Sequence, residues 1–163
     1  MTRLIDNTRK TYFSPDDDTQ NAFLQFLQSA TKKILIADYS FNLQPVVDLL
    51  ISKHQSGIEV RLILDRTQAA GRSEEPEVQQ LRSAGIPLAV GTSSLRKIMH
   101  NKFTIVDDTW VESGSWNYTG TASKEDNFFD IENSPDRAVA FATYWQKMHD
   151  WIAKNESGGI SNE

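Results

Sequence analysis

The 163-residue sequence contains no cysteine, so disulfide bonds, thiolate zinc sites and cysteine nucleophiles are all excluded. It has no run of about 18 apolar residues of the kind that spans a bilayer, and its first residues lack the apolar core of a secretory signal. We therefore expect a cytoplasmic protein without stable insertion into a membrane. A basic excess is also missing, because the formal net charge is −5. That charge argues against a protein that coats nucleic acid nonspecifically.

The charges that are present are segregated along the chain. Basic residues cluster in 61–72 and 96–102, whereas acids dominate 16–18 and 74–77. A local basic region suits an anionic substrate. Each of these basic side chains is individually interpretable as an ordinary surface charge. The alternative is that four of them together line a groove that contacts the phosphates of a nucleic acid, namely Arg66, Arg72, Arg96 and Lys97.

The order of predicted elements indicates an α/β fold. Short apolar runs predict buried strands, and apolar residues at helical spacing predict the helices between them. Strands are expected at 34–37, 60–64, 86–90, 100–106, 110–113 and 128–131, and helices from Ser14 to about residue 30 and at 45–51, 74–83 and 136–154. The β-α-β-α-β order in the first half favours a mixed, mostly parallel β-sheet flanked by helices on both faces.

The length fits one domain. We expect that domain to occupy residues 12–154, after an N-terminal segment of residues 1–11. Residues 155–163 are expected to form a flexible tail.

Two short motifs in the second half carry the chemistry. His100, Lys102 and Asp107 form the pattern H-x-K-x4-D, and residues 114–117 then form G-S-x-N. Alternate side chains of a strand share a face, so His100 and Lys102 are expected to project together. A lysine that neutralises nonbridging oxygens, beside a histidine that attacks phosphorus or moves a proton, suits the chemistry of a phosphodiester.

The other motif residues have supporting parts in this interpretation. Asp107 lies an odd number of residues from His100, so it should point away from the histidine or lie in the turn that follows the strand. Two interpretations stay open for it: a catalytic residue that supports the site, or a side chain that holds the turn 107–109 or pairs with a basic residue. Ser115 and Asn117 share parity on the returning strand. Their hydroxyl and amide groups can donate hydrogen bonds to phosphate oxygens without adding charge.

Together the two motifs resemble the signature of the phospholipase D superfamily, in particular its small bacterial nucleases with one copy of the motif. The resemblance implies a phospholipase D/nuclease-like fold. It also implies an acid after G-S-x-N that orients the histidine: Asp126, which directly precedes an asparagine, is the closer match, and Glu125 is its competitor. Members of this kind use two histidines, so a single motif implies a homodimer in which a two-fold axis brings two copies of His100 together.

The implied activity is hydrolysis of phosphodiesters through a phosphohistidine, without a metal ion or other cofactor. Small size, a single motif, arginine-bearing loops and the lack of a hydrophobic anchor favour a nonspecific endonuclease acting on DNA or RNA. The alternative is a phospholipase D or cardiolipin-hydrolase-like enzyme acting on lipid phosphodiesters. A catalytically idle domain that only binds nucleic acid or a partner is disfavoured, because every chemical position of the motif is filled.

Overall fold

A nine-stranded sheet organises the part of the chain that the computed structural model describes, which is residues 8–163 in full and the backbone of residues 3–6. The strands are β1 Arg3–Asp6, β2 Arg9–Ser14, β3 Lys33–Asp38, β4 Glu59–Asp65, β5 Leu88–Gly91, β6 Lys102–Val106, β7 Trp110–Gly114, β8 Asn127–Asn133 and β9 Ile160–Ser161. Across the sheet their order is β1-β2-β8-β7-β6-β3-β4-β5-β9.

Most neighbouring strands run antiparallel, which corrects the expected mostly parallel sheet. Among the described strands, β3–β4 and β4–β5 are the parallel pairs, and the other six pairs are antiparallel. Parallel neighbours need a crossover connection, and only the predicted β-α-β-α-β stretch supplies one. The strands outside that stretch join the sheet in antiparallel pairs, so parallel pairing among the described strands is confined to β3, β4 and β5.

Helices cover both faces of the sheet, as the sequence predicts. They are α1 Thr19–Gln28, α2 Gln44–Gln55, α3 Arg66–Ala69, α4 Glu75–Ser83 and α5 Pro135–Asn155. Helices α1, α2 and α4 pack on one face and α5 on the other. The central strands are therefore buried on both sides, and alternate residues of β3 enter different cores: Ile36 faces α1 and α2, while Ala37 faces α5. No helix within residues 8–163 is both long enough and apolar enough to cross a membrane.

The first helix begins later than the sequence predicts. Its N-cap is Asp18, whose carboxylate accepts a hydrogen bond from the Asn21 N–H at 3.2 Å. Ser14, the predicted cap, instead ends β2 and donates its hydroxyl hydrogen bond to the Ala122 carbonyl oxygen at 3.1 Å. A serine before proline and three aspartates offers several capping side chains, and the strand pairing of β2 decides among them.

The two segments expected to flank the domain, residues 1–11 and 155–163, both contribute strands to the sheet. Residues 1, 2 and 7 of the expected N-terminal segment 1–11 lie outside the described residues, while the backbone of 3–6 forms β1 and residues 9–11 begin β2. At the other end, the expected flexible tail 155–163 contributes β9, which pairs with β5. The Glu163 carboxylate also binds the Arg61 guanidinium at 2.6 Å. The pairing of β9 with β5 and the ion pair of Glu163 with Arg61 join residues far apart in sequence, so local sequence patterns give no signal for them.

The sheet brings His100 and Lys102 of the first motif to the same edge as the G-S-x-N motif. Because β6 runs antiparallel to β3, its first residue, Lys102, lies opposite Asp38, the last residue of β3. On the other side Phe103 lies opposite Ser113, near the end of β7. We call this the motif edge. The opposite edge, which holds the turn between β6 and β7 at residues 107–109, is the turn edge.

Candidate active site

His100 lies in the loop that precedes β6 and not on the strand itself. The strand begins at Lys102, so the strand face predicted for both residues does not exist. Loop geometry joins them instead, because the Lys102 ammonium donates a hydrogen bond to the His100 carbonyl oxygen at 2.9 Å. The imidazole is exposed, and its ring centroid lies 4.6 Å from that of Tyr39. A reactive ring is thus presented to solvent beside a fixed cation.

A buried carboxylate holds the loop that carries His100. Asp65, the last residue of β4, has no exposed surface. One of its oxygens accepts a hydrogen bond from the Met99 N–H at 2.8 Å, and the other caps α3 by accepting from the Thr67 N–H at 2.9 Å. The residue before the histidine is therefore tied to the rigid centre of the sheet. Such support limits the positions that the imidazole can take.

Lys102 is held between an aromatic ring and a second buried acid. Only 8% of the residue is exposed, and its ammonium lies 5.1 Å from the centroid of the Tyr39 ring. Burial lowers the pKa of Lys102, while the carboxylate of Asp38 opposes that shift. Asp38 is itself fully buried; one oxygen accepts from the Tyr118 N–H at 3.1 Å and the other has no hydrogen-bond partner. The ammonium uses one donor on His100 and so has donors left for an anion.

The environment of His100 favours its neutral form. Burial lowers the pKa of His100, the nearby Lys102 ammonium lowers it further, and the Asp65 carboxylate opposes both effects. A neutral imidazole has a free lone pair on one ring nitrogen. At neutral pH the side chain is therefore suited to act as a nucleophile or a base.

Ser115 and Asn117 lie beyond the end of β7, which corrects their predicted place on the returning strand. Strand β7 ends at Gly114. The Ser115 hydroxyl donates to the Asn127 side-chain oxygen at 3.0 Å and accepts from the Phe128 N–H at 3.2 Å. The side-chain oxygen of Asn117 is buried and has no hydrogen-bond partner. The structure places both residues at the motif edge but points the serine towards β8.

Gly114 explains why the chain leaves the strand there. A Cβ at this position would lie 2.1 Å from the Phe128 carbonyl oxygen and 2.6 Å from the Phe129 Cα. The two backbones approach so closely that only glycine fits. The glycine of the G-S-x-N motif is thus a packing requirement.

The candidate orienting acids are both exposed. Asp126 lines a shallow hollow of about 400 Å³ together with Ser115 and Asn127. The Glu125 carboxylate accepts from the Asn127 side-chain amide at 3.4 Å. Within residues 8–163 neither carboxylate is hydrogen-bonded to His100. Asp126 therefore remains a prediction that single-chain contacts do not support.

Asp107 lies at the turn edge, across the sheet from His100. Its carboxylate accepts hydrogen bonds from the backbone N–H groups of Thr31, Lys32 and Lys33 at 2.8–2.9 Å. Burial works to raise the pKa of Asp107, but these N–H groups outweigh it and hold the pKa below its ordinary value. Asp107 lies in the turn after β6, but its carboxylate binds the chain around the start of β3 and not that turn, and this placement does not support a catalytic part.

The four cationic side chains predicted to contact nucleic acid differ in how free they are to bind a phosphate. Arg66 forms an ion pair with the buried carboxylate of Glu156 at 2.5 Å. Arg96 lies over the ring of Trp151, with 5.8 Å between the guanidinium carbon and the ring centroid. Arg72 and Lys97 are exposed. All four lie in loops or at helix starts of the motif edge, but Arg66 is already neutralised.

A buried polar network beneath the site escaped the sequence interpretation. The Tyr118 hydroxyl donates to the Glu112 carboxylate and lies 2.7 Å from the Thr104 hydroxyl, with all three residues buried. Burial raises the pKa of Glu112 to about 8. Because the Tyr118 N–H also binds Asp38, the network fixes the backbone that follows Asn117. No three acids and histidines of residues 8–163 gather closely enough to hold a metal ion.

Comparison with known proteins assigns the chain to a family. Residues 23–149 match the family described as cardiolipin synthase, PLD-like domain. The chain belongs to the phospholipase D superfamily of phosphodiesterases. The resemblance read from the two motifs is confirmed.

Relatives of this phospholipase D superfamily chain include lipid hydrolases and a small bacterial protein. It is 28% identical over 139 residues to the mitochondrial cardiolipin hydrolase of Chlamydomonas reinhardtii, covering 85% of this chain and 60% of that protein. Against the phospholipase D of Rickettsia typhi it is 29% identical over 153 residues, covering 92% and 69%. The crystal structure of Nuc from Salmonella typhimurium, a phospholipase D family member, is similar with a TM-score of 0.81 at 27% identity, covering 88% and 95%.

Proposed function

We propose that the protein is a nonspecific endonuclease that hydrolyses the phosphodiesters of DNA or RNA without a metal ion. The observation that carries the proposal is the exposed imidazole of His100 held beside the buried ammonium of Lys102. An anionic diester that approaches the imidazole meets a cation already positioned to neutralise its nonbridging oxygens. Such preorganised charge lowers the barrier to attack at phosphorus.

The proposed reaction is a double displacement. A ring nitrogen of His100 attacks phosphorus, a P–N bond forms, and the P–O bond to the leaving oxygen breaks as that oxygen takes a proton from a second imidazole. The second imidazole then removes a proton from water, which attacks phosphorus and breaks the P–N bond. Lys102 balances charge in both steps. The lowered pKa of His100 suits the attacking ring, because attack requires the neutral form.

The second imidazole is proposed to come from a second copy of the chain. His149 is buried and stacked on Trp145, and His54 belongs to α2, so neither shares the loop geometry of His100. A two-fold axis beside His100 would supply the missing ring. The loop before His100 also exposes 82% of Leu95, an apolar side chain that a partner would cover.

The choice of nucleic acid over lipid rests on charge. Arg96 and Lys97 precede His100 in an otherwise acidic chain, and a polyanion has phosphates for them on either side of the scissile bond. The second candidate is hydrolysis of lipid phosphodiesters. It is favoured by the named activities of the relatives, a cardiolipin hydrolase and a phospholipase D.

The proposal is tested by assaying labelled single- and double-stranded DNA and RNA, and cardiolipin-containing vesicles, in the presence of EDTA. We expect cleavage of nucleic acid that His100→Ala lowers by about 10³-fold or more. The melting temperature should stay unchanged because the ring is exposed. His54→Ala is the matched control and should retain activity. Loss of cleavage in EDTA, or full activity of His100→Ala, would overturn the mechanism; release of lipid headgroups with intact oligonucleotides would establish the second candidate.

A further inference from the structure

A cleft runs from His100 along the last helix. It has a volume of about 760 Å³ and lies between residues 92–101 and the second half of α5. The other hollows described on the surface reach about 400 to 470 Å³. We call it the α5 cleft. Of the proposed catalytic and phosphate-binding residues, His100 alone lines the α5 cleft. The proposed reaction uses none of its other residues.

The α5 cleft has an apolar floor and a cationic rim. Met148 and Trp151 contribute to the floor, and Tyr144, with 48% of its surface exposed, stands at its side. Lys147 and Lys154 are exposed on the rim. These five residues recur at helical spacing, so they form one face of α5.

The local charge of the cleft contrasts with that of the whole chain. Lys147 and Lys154 accompany one carboxylate, Asp150, along the helix. From the loop opposite, Arg96 reaches across to the ring of Trp151. Three cations thus accompany one acid in a protein whose net charge is −5. The cleft is complementary to an extended anion.

A single strand of nucleic acid satisfies these features better than other phosphodiesters. Aromatic and thioether side chains stack on bases of any sequence, while lysines contact the backbone between them. Bases of a duplex are paired and stacked on one another, so they cannot occupy the floor. A lipid carries one phosphate, or two in cardiolipin, so with one of them at His100 it has at most one further anion. Lys147 and Lys154 lie seven residues, or about 10 Å of helix, apart, and an extended strand has a phosphate for each.

We infer that the α5 cleft binds the unpaired nucleotides that adjoin the scissile phosphate, with bases on Tyr144 and the Met148–Trp151 floor and phosphates at Lys147 and Lys154. The inference rests on the proposed nuclease function and names its substrate as single-stranded. Cleavage of single strands should therefore be faster than cleavage of duplexes of the same sequence. A substrate too small to extend from His100 into the cleft should be hydrolysed at a rate that does not depend on the cleft residues.

The experiment compares a single-stranded oligonucleotide with bis(p-nitrophenyl) phosphate, a diester that can reach His100 without filling the cleft. Tyr144→Ala is expected to lower kcat/KM for the oligonucleotide by about 5- to 100-fold, through KM, and to leave hydrolysis of the small diester unchanged. Lys147→Gln and Lys154→Gln should each make the salt dependence of oligonucleotide cleavage shallower, by about 0.7 in the slope of log kcat/KM against log salt concentration.

Matched controls come from the turn edge. Trp110→Ala removes an aromatic side chain that is 37% exposed, and Lys32→Gln removes an exposed lysine. Neither should change cleavage of the oligonucleotide. Melting temperatures of all variants identify any that fail to fold, and the small diester reports an intact catalytic site.

Several results would overturn the inference while leaving the nuclease proposal in place. These are unchanged oligonucleotide cleavage in the α5 variants, equal losses on both substrates, preferred cleavage of duplexes, and an altered sedimentation coefficient, which would make the cleft an interface between copies. A wild-type protein that cleaves no nucleic acid overturns the proposed function itself. Selective loss of vesicle hydrolysis in the α5 variants would then assign the cleft to lipid.

Discussion

Three aspartates with similar local sequences have different environments. Asp38 and Asp65 end buried strands at the motif edge, where one lies opposite Lys102 and the other holds the loop of His100. Asp107 follows β6 at the turn edge and binds three backbone N–H groups. The motif made Asp107 conspicuous in the sequence, whereas nothing in a linear pattern distinguishes the other two. Their importance comes from pairing between strands, which only the fold defines.

Asp107→Asn is expected to lower the free energy of unfolding at pH 7 by about 1 kcal/mol, allowing for solvent screening of this partly exposed group, and to leave kcat unchanged. The pKa of Asp107 is lower in the folded state than its ordinary value of 3.8. Its contribution is therefore complete above that value and is lost as pH falls through the folded pKa. Denaturation followed from pH 7 to pH 2 should show wild type and variant converging.

Asp108→Asn is the control for that substitution. Asp108 has a similar left-handed backbone, with φ of 57° against 53° for Asp107, and an exposed ion pair with Lys33. Its replacement should change stability by less than about 0.5 kcal/mol. A stable Asp107→Asn protein with greatly reduced kcat would restore the aspartate to the catalytic group.

At the scale of elements, local periodicity predicted well where helices and strands are regular. The runs at residues 34–37 and 60–64 became β3 and β4, and the long amphipathic stretch became α5. Strand parity failed at the site because β6 starts after His100 and β7 ends before Ser115. Apart from Lys102, the proposed site residues of the motif edge lie in loops just outside strand ends, where the alternation of side chains no longer applies.

Gly114→Ala should destabilise the protein by about 2 kcal/mol or more, because the added methyl would collide with backbone atoms of β8 that cannot move independently. Thermal or urea unfolding measures this loss. Gly120→Ala is the matched control, since a Cβ there meets no atom within 4 Å. It should change stability by less than about 0.5 kcal/mol. Equal stability of the two variants would show that the close approach of β7 and β8 is absent in solution.

At the scale of the whole molecule, the sequence predicted the family, the α/β class and the helices on both faces. It could not predict that most strand pairs are antiparallel. Strands β2, β8 and β7 are adjacent in the sheet although α1 to α4 and the central strands separate β2 from β7 in the chain. Local sequence patterns predict where each strand lies. Which strands then pair depends on how the complete sheet buries both cores.

A homodimer with a shared site makes a quantitative forecast for mixed subunits. Wild-type chains equilibrated with His100→Ala chains in varied proportions should form mixed dimers that contain a single His100 imidazole and are inactive. At a fixed total concentration of chains, cleavage should then fall as the square of the wild-type fraction. Cleavage that falls linearly, together with a sedimentation coefficient of a monomer, would show that one chain is sufficient.

The separation of the motif edge from the turn edge gives the absence of cysteine a practical use. A thiol introduced as Lys32→Cys would be the only one in the chain, and it would lie at the turn edge, where the residue's N–H binds Asp107. A fluorophore or a surface linker attached there would stand across the whole length of β6 from the reacting phosphate. Single-molecule observation of substrate arriving at His100 would then need no other change to the chain.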